Sequence, residues 1–200
     1  MKSVSITGEL RDATGKKDAK KLRSEEKVPC VLYGGEQAVH FQVDATEFRQ
    51  LVYTPNVYLV DLTVAGKTET AIMQDIQWHP VEEQILHVDF LKVDAKKPIK
   101  VEIPVRVEGY AKGMREGGKM KLNLRRLKVK GLAANIPDSI AININELELG
   151  QSIKVGQIKA ENLEILNSKS IPAVTIMITR AARAAMNASA AATPAKGKKK

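Results

Sequence analysis

The chain has few of the residues that mark disulfide-rich proteins, zinc proteins or membrane spans. Its 200 residues contain one cysteine, Cys30, which excludes an internal disulfide and a cysteine-rich zinc site. Aromatic residues make up only 4%, so valine, isoleucine and leucine must build the core. No apolar run reaches the roughly 18 residues of a transmembrane helix, and the start lacks the apolar stretch of a signal peptide. We expect a cytoplasmic protein in which Cys30 is a buried structural thiol.

Positive charge is abundant and unevenly distributed. The formal net charge is +9 at pH 7 and the sequence pI is about 9.6, which favours nucleic acid or another anionic surface as partner. Residues 96–130 carry twelve cations and three anions, whereas residues 36–95 carry three cations and ten anions. The last stretch, 180–200, carries six cations and no anion. This segregation indicates a basic face or arm beside an acidic stretch.

Apolar and polar residues alternate with a period of two through most of the chain, which predicts a mainly β fold. Val39, Phe41 and Val43 share one parity in an early segment. The run 99–107 alternates most regularly, and Pro104 within it suggests a strand at a sheet edge. We therefore expect half-buried strands with one apolar and one polar face.

A break in this pattern at residues 94–98 has the composition of a linker. It predicts two mainly β domains, 1–95 and 96–180. The Ala/Lys-rich tail that follows, 181–200, lacks the residues to bury a core, so we expect most of it to be disordered.

A short amphipathic helix is predicted at residues 45–52. Asp44 and Glu47 have the spacing of a capping box, with Asp in place of Ser or Thr. Phe48 and Leu51 follow at helical spacing.

The predicted strand 85–93 presents two titratable side chains on one face. His87 and Asp89 have the parity opposite to the apolar residues, and strand geometry places their Cα atoms about 6.5–7 Å apart. Four interpretations stay open: a metal pair completed by His79, Glu82 or Glu83, an acid/base pair, a polar face without function, and a polar face that contacts RNA. No phosphate-binding glycine loop, HExxH spacing or nucleophile motif occurs, so we predict that the chain is not an enzyme.

The segment Gly15–Gly35 combines six cations with an apolar strand that ends at Tyr33. Such a run is either a solvated helix surface or a binding site for phosphates. Arg11, at the end of the first predicted strand, and Tyr33 favour binding, because arginine forks phosphate and tyrosine can stack on a sugar or base. The later run 119–130 has two interpretations as well, the outer face of a strand pair and a second RNA contact. Trp78 is expected to pack at a strand end.

Several motifs in this order resemble a known family. They are Arg11, Gly15-Lys16, Lys20-Lys21-Leu22-Arg23, Val28-Pro29, Leu32-Tyr33-Gly34-Gly35, Gln74–Pro80 and Leu86–Phe90. The chain is similar to bacterial large-subunit ribosomal protein number twenty-five in its long, two-domain form, also called the general stress protein CTC type. Residues 1–95 carry the resemblance, and the β-rich segment 96–180 fits the family's second domain.

This resemblance implies an N-terminal small β barrel with short helices, followed by a second antiparallel β domain. It also implies binding to the loop E region of 5S rRNA along a minor groove lined with RNA-associated Mg²⁺, without a cofactor of the protein's own. By position, the residues expected to face the RNA are Arg11, Lys16, Lys20, Lys21, Arg23, Tyr33, His87 and Asp89.

The chain departs from the family pattern at two places. Lys17–Lys21 stands where the family often has Gly-Ala-Ser-Arg-Arg, so lysine point charges replace arginine forks and Asp18 adds an anion. Trp78 stands where an arginine is frequent, so the resemblance implies no arginine contact with RNA at that position.

Our hypothesis is a non-enzymatic constituent of the large ribosomal subunit that binds 5S rRNA through its N-terminal domain. The second domain would contact neighbouring subunit components, with no membrane and no small-molecule substrate involved. The alternative is a stress-linked β-rich module that binds a protein through the acidic stretch 36–95.

Overall fold

A computed structural model describes residues 2–35, 37–160 and 162–184. Contacts between residues divide the chain into two compact units. The first unit comprises Met1–Pro104, Lys128–Asp138 and Asn162–Glu164, and the second comprises Val105–Leu127, Ser139–Glu161 and the residues from Ile165 onward. The predicted domain boundary between residues 95 and 96 stays a prediction.

Six strands of the first unit close into a barrel. They are β1 (Lys2–Leu10), β2 (Lys27–Tyr33), β3 (Val39–Asp44), β4 (Tyr58–Val64), β5 (Lys67–Trp78) and β6 (Ile85–Lys92). Their order around the barrel is β1-β3-β2-β6-β5-β4, with β4 returning to β1. The β1–β4 and β2–β6 pairs are parallel and the others are antiparallel. The predicted mainly β fold with an N-terminal barrel is confirmed.

The barrel interior is filled from alternate positions of these strands. Phe41 and Phe90 are fully buried, with ring centroids 5.8 Å apart, and Phe48 packs on Phe90 at 6.4 Å. Cys30 is free and 1% exposed, as predicted, and burial raises the pKa of its thiol. These aromatic rings lie at the centre of a core built mainly from Val, Leu and Ile.

Two helical segments accompany the barrel strands. Helix α1 spans Lys16–Ser24 on the surface, and a 3₁₀ turn at Ala45–Phe48 continues into the single turn of α2, Arg49–Val52. The predicted capping box at the start of this segment is wrong, because the Asp44 side chain makes no capping hydrogen bond. The carboxylate of Glu47 instead accepts a hydrogen bond from the Thr7 backbone amide at 3.1 Å, which ties the turn to β1.

The remaining strands form two sheets with the orders β10-β7-β9-β12 and β11-β13-β8. Their strands are β7 (Ile99–Glu108), β8 (Lys119–Leu122), β9 (Arg126–Gly131), β10 (Ile140–Asn143), β11 (Ser152–Lys154), β12 (Glu164–Ile165) and β13 (Pro172–Met177). Short helical pieces are α3 (Lys112–Arg115) and 3₁₀ turns at Ala133–Asn135 and Val155–Gln157. The prediction of a second β region is confirmed, although its β7–β10 pair is parallel.

The edge position suggested by Pro104 is wrong, since β7 has a neighbour on each side. The ladder with β10 begins only at Val105, paired with Ile140, and continues to Glu108. Pro104 therefore precedes that ladder, so its missing N–H leaves no gap in it.

The predicted tail lies largely outside the described residues. Its described part, 181–184, is helical and belongs to a helix that begins at Arg180. Thr179 caps this helix, because its hydroxyl oxygen accepts a hydrogen bond from the Ala182 amide at 3.2 Å. In the described part of the chain, no helix is long and apolar enough to cross a membrane.

Candidate nucleic-acid interface

Four neighbouring strands of the barrel contribute one row of residues, of which three are polar and one, Val31, is apolar. Val31 on β2 is paired with His40 on β3 and with Asp89 on β6, and Asp89 is paired with Asp75 on β5. At about 4.8 Å between strands, the row from His40 to Asp75 spans about 14 Å. The site is therefore a broad strand face.

His87 and Asp89 are held together on this face, as their parity predicted. The Nδ1 atom of His87 lies 2.7 Å from a carboxylate oxygen of Asp89, and the two side chains are 28% and 32% exposed. Gln77 lies opposite His87 on β5. The contact orients the imidazole and leaves its other nitrogen to act toward a partner. The pair offers hydrogen-bonding groups in a fixed geometry, as recognition of RNA shape requires.

Arg23 joins the basic helix to this face. Its Nε and Nη2 atoms both donate to the backbone oxygen of Leu86, at 3.1 and 2.9 Å. Leu86 immediately precedes His87 on β6, so the guanidinium lies beside the His87–Asp89 pair. Of the five N–H donors of arginine, two are used in this way, and the contacts among the described residues leave the other three for a partner.

Helix α1 does not present all its lysines on the same side. At 100° per residue, Lys16, Lys20 and Arg23 lie within about 60° of one another around the helix axis. Lys21 lies about 140° from Lys16 and stands 4.0 Å from Glu25 in an exposed ion pair. The geometry therefore groups Lys16 and Lys20 with Arg23 and leaves Lys21 on another face.

Arg11 lies at the other side of the row. Its backbone amide donates to the His40 oxygen at 3.1 Å, which places it beside β3. The Nε and Nη2 atoms of its guanidinium are shielded from solvent, yet no described residue accepts a hydrogen bond from either. Buried donors without an acceptor are rare and costly, so a movement of this side chain that brought either atom to an external anion would remove that cost.

Tyr33 extends the face along β2, where it pairs with Leu91. Burial raises the pKa of its phenol, and the nearby carboxylates of Asp89 and Asp75 raise it further. The hydroxyl therefore keeps its proton above the ordinary tyrosine range and serves as a hydrogen-bond donor. Tyr33 is therefore close enough to Asp89 for the carboxylate charge to act on its phenol.

Lys27 belongs to the same basic segment, but its side chain is already paired with an acidic residue. Its ammonium lies 2.9 Å from the Glu9 carboxylate, which also accepts a hydrogen bond from Gln42. The hydrogen bond to Glu9 raises the pKa of Lys27. Lys27 is therefore less available than the cations of α1.

The described residues contain no group of three or more His, Cys, Asp or Glu side chains placed to hold a metal ion. Asp75 and Asp89 instead stand directly opposite each other as two carboxylates on neighbouring strands. Like charges in this position repel unless a partner supplies donors or cations.

His40, Asp75 and Gln77 are face residues that sequence reasoning did not select. The alternation around Ile76 indicates that Asp75 and Gln77 point away from the core, and this signal was available. Their position opposite Asp89 and His87 depends on strand pairing across a register shift between Met73 and Asp75, which the sequence does not display.

A closed barrel with a basic helix fastened beside a polar strand face defines a binding protein. Comparison with known families gives two matches: residues 6–90 match the Ribosomal L25p family, and residues 98–180 match the C-terminal domain of ribosomal protein TL5. Curated relatives named large ribosomal subunit protein bL25 cover nearly the whole chain. The protein from Bacteroides fragilis is 46% identical over 92% of this chain and 97% of its own length, and that from Phocaeicola vulgatus is 47% identical over the same shares. The protein from Cytophaga hutchinsonii is 46% identical over 90% of this chain and 94% of its own length.

The chain therefore belongs to the Ribosomal L25p family. This assignment confirms the resemblance proposed from the sequence motifs and the prediction of a ribosomal, non-enzymatic protein.

Proposed function

We propose that the chain is a structural constituent of the large ribosomal subunit in the cytoplasm and that its barrel binds 5S rRNA. The relatives' names support the first part, since they place those proteins in the large subunit. The strand face between α1 and β5 supports the second, because cations flank a fixed set of polar groups there. The RNA-facing residues proposed are those expected from the motifs, with Asp75 and Gln77 added.

The observation that carries the proposal is the double hydrogen bond from Arg23 to the Leu86 oxygen. It fastens α1 against the start of β6 and brings a cationic helix face to the His87–Asp89 pair. The attachment also stabilises α1 within the fold, and its bearing on binding is the fixed position that it gives to the helix cations. A phosphate backbone that follows α1 would meet the polar pair directly.

Different residues of the site contact different parts of the RNA. Lys16, Lys20 and Arg23 neutralise phosphates on one side, and Arg11 adds the positive charge of its guanidinium on the other. His87, Asp89 and Tyr33 contact base edges or 2′-hydroxyl groups, for which a carboxylate acceptor and a phenol donor are suited. Lys21 contributes less, since it lies on another helix face.

The two opposed carboxylates, Asp75 and Asp89, limit where a phosphate can lie. Phosphates that approached them would be repelled, whereas amino groups of bases, 2′-hydroxyls and hydrated Mg²⁺ held by the RNA would be attracted. The face therefore selects for groove edges at its centre and for phosphates at its margins.

Gel-shift titration of labelled 5S rRNA with the full chain tests the proposal. We expect a salt-sensitive complex that Lys20→Ala weakens about threefold to tenfold by removing a phosphate contact. Lys17→Ala is the matched control, because it removes the same charge from the same helix outside the Lys16–Arg23 face. Equal effects of the two substitutions would show that only net charge matters. Unchanged binding after Arg23→Ala combined with His87→Ala would rule the site out.

The second domain expected from the sequence, 96–180, would contact neighbouring components of the large subunit. Co-sedimentation with large subunits, with and without residues 96–200, tests this contact. If 5S rRNA does not bind but the chain still sediments with subunits, the alternative of docking on a protein through the acidic stretch 36–95 gains support.

A further inference from the structure

Two aromatic side chains of the first unit remain exposed. Tyr53 is 72% exposed and Trp78 is 40% exposed, and their ring centroids lie 6.5 Å apart at an interplanar angle of 60°. By contrast, Phe41, Phe48 and Phe90 are completely buried in the barrel core. Although the protein has few aromatic residues, these two are exposed to water as a pair. Neither of them belongs to the site described above.

Strand register places Trp78 next to β6, the strand to which α1 is attached, after a register shift between Gln77 and Trp78. β5 ends at Trp78, which pairs with Ile85 at the start of β6. The next residue of β6 is Leu86, whose backbone oxygen holds Arg23. Trp78 is therefore about one strand spacing from β6, and His87 lies only about 7 Å further along that strand.

We propose that Trp78 and Tyr53 form a stacking platform for a nucleobase of the RNA whose backbone is bound by α1. The inference rests on the proposed function, which it extends by a contact to an unstacked base. Exposed aromatic rings next to phosphate-binding cations are the usual combination for holding an unpaired nucleotide.

Charge at the following turn favours a base over a phosphate as the occupant. Glu82 and Glu83 are exposed just after Trp78, and the Glu82 amide donates to Nδ1 of His79 at 3.1 Å. These carboxylates repel a phosphate, whereas the uncharged face of a base can lie on the rings. The phosphates then remain on the side of α1, where the cations lie.

Trp78 is the only tryptophan of the chain, so its fluorescence reports this contact directly. We expect titration of the full chain with 5S rRNA to quench that emission at the same RNA concentration that produces the gel shift. Tyr53→Ala and Trp78→Ala should each weaken 5S rRNA binding by about tenfold, while Trp78→Phe should retain most of the affinity. Val81→Ala, which truncates an exposed apolar residue of the same turn, is the matched control and should bind like the unmodified chain.

The outcomes separate this inference from the function on which it rests. A gel shift without fluorescence quenching, together with normal binding by Tyr53→Ala, overturns the stacking platform and leaves 5S rRNA binding intact. Absence of any gel shift overturns both. If both alanine variants bind free 5S rRNA normally but lose occupancy on large subunits, the pair docks on a protein and the inference is wrong.

Discussion

At Arg23, substitutions can separate the effect of the positive charge from the effect of attaching α1 to β6. Its guanidinium donates twice to the Leu86 oxygen and thereby attaches α1 to β6. Arg23→Ala removes both the charge and the attachment. Arg23→Lys keeps the charge but replaces a planar fork with a single ammonium, so it tests whether the attachment itself matters.

The expected magnitude follows from this geometry. A hydrogen bond from a charged donor contributes about 1.5–3 kcal/mol, and we take the low end because the group is partly exposed and both bonds share one acceptor. Arg23→Ala should therefore lower the free energy of unfolding by about 1.5 kcal/mol, and Arg23→Lys by about half of that. Loss of one phosphate contact should reduce the slope of log K against log salt by about 0.9 in Arg23→Ala and by much less in Arg23→Lys.

Urea unfolding gives the stability difference, and gel shifts with 5S rRNA over a range of KCl concentrations give the slope. We expect Arg23→Lys to keep the salt slope yet bind about threefold to tenfold more weakly, since α1 is no longer fixed at β6. Stability and affinity of Arg23→Lys equal to those of the unmodified chain would refute the positional role.

Three further predictions concern the barrel. Gly8→Ala should lower the free energy of unfolding by about 1–3 kcal/mol in urea titrations, because the new Cβ would lie 2.6 Å from the ring of Phe41, while Gly35→Ala should be tolerated. Glu47→Ala should cost about 0.5–1.5 kcal/mol in the same assay by leaving a β1 amide without its acceptor, and Glu47→Gln should restore most of it. Since the folded chain holds the Tyr33 proton more tightly than the unfolded chain, its titration lowers stability as pH rises above about 10, and Tyr33→Phe should remove both that loss and the contribution of Tyr33 to the tyrosine absorbance titration.

The alternation of apolar and polar residues was sufficient to predict much of the barrel. The hairpin of β4 and β5 follows from the alternation of apolar residues on both sides of Ala65-Gly66, and both residues of the turn have the positive φ that such a hairpin requires (49° and 77°). The His87–Asp89 pair was predicted for the same reason, since period two fixes which side chains share a face.

Local sequence patterns do not predict side-chain contacts between residues that are far apart in the sequence. Asp44 and Glu47 have capping-box spacing, but Glu47 finds an amide on β1, 40 residues away in sequence. Arg23 is attached to a backbone carbonyl 63 residues away, and a carbonyl leaves no mark in the sequence. In both cases tertiary contact decided the role of a side chain whose type alone was uninformative.

Competition for binding between 5S rRNA and transfer RNA tests most directly whether the chain recognises 5S rRNA. With the full chain at about physiological ionic strength, we predict a one-to-one complex with labelled 5S rRNA that resists an excess of unlabelled transfer RNA and dissociates with unlabelled 5S rRNA. Two RNAs that compete equally at equal mass would contradict the claim. The strand face around His87 and Asp89 would then add no selectivity to a basic surface.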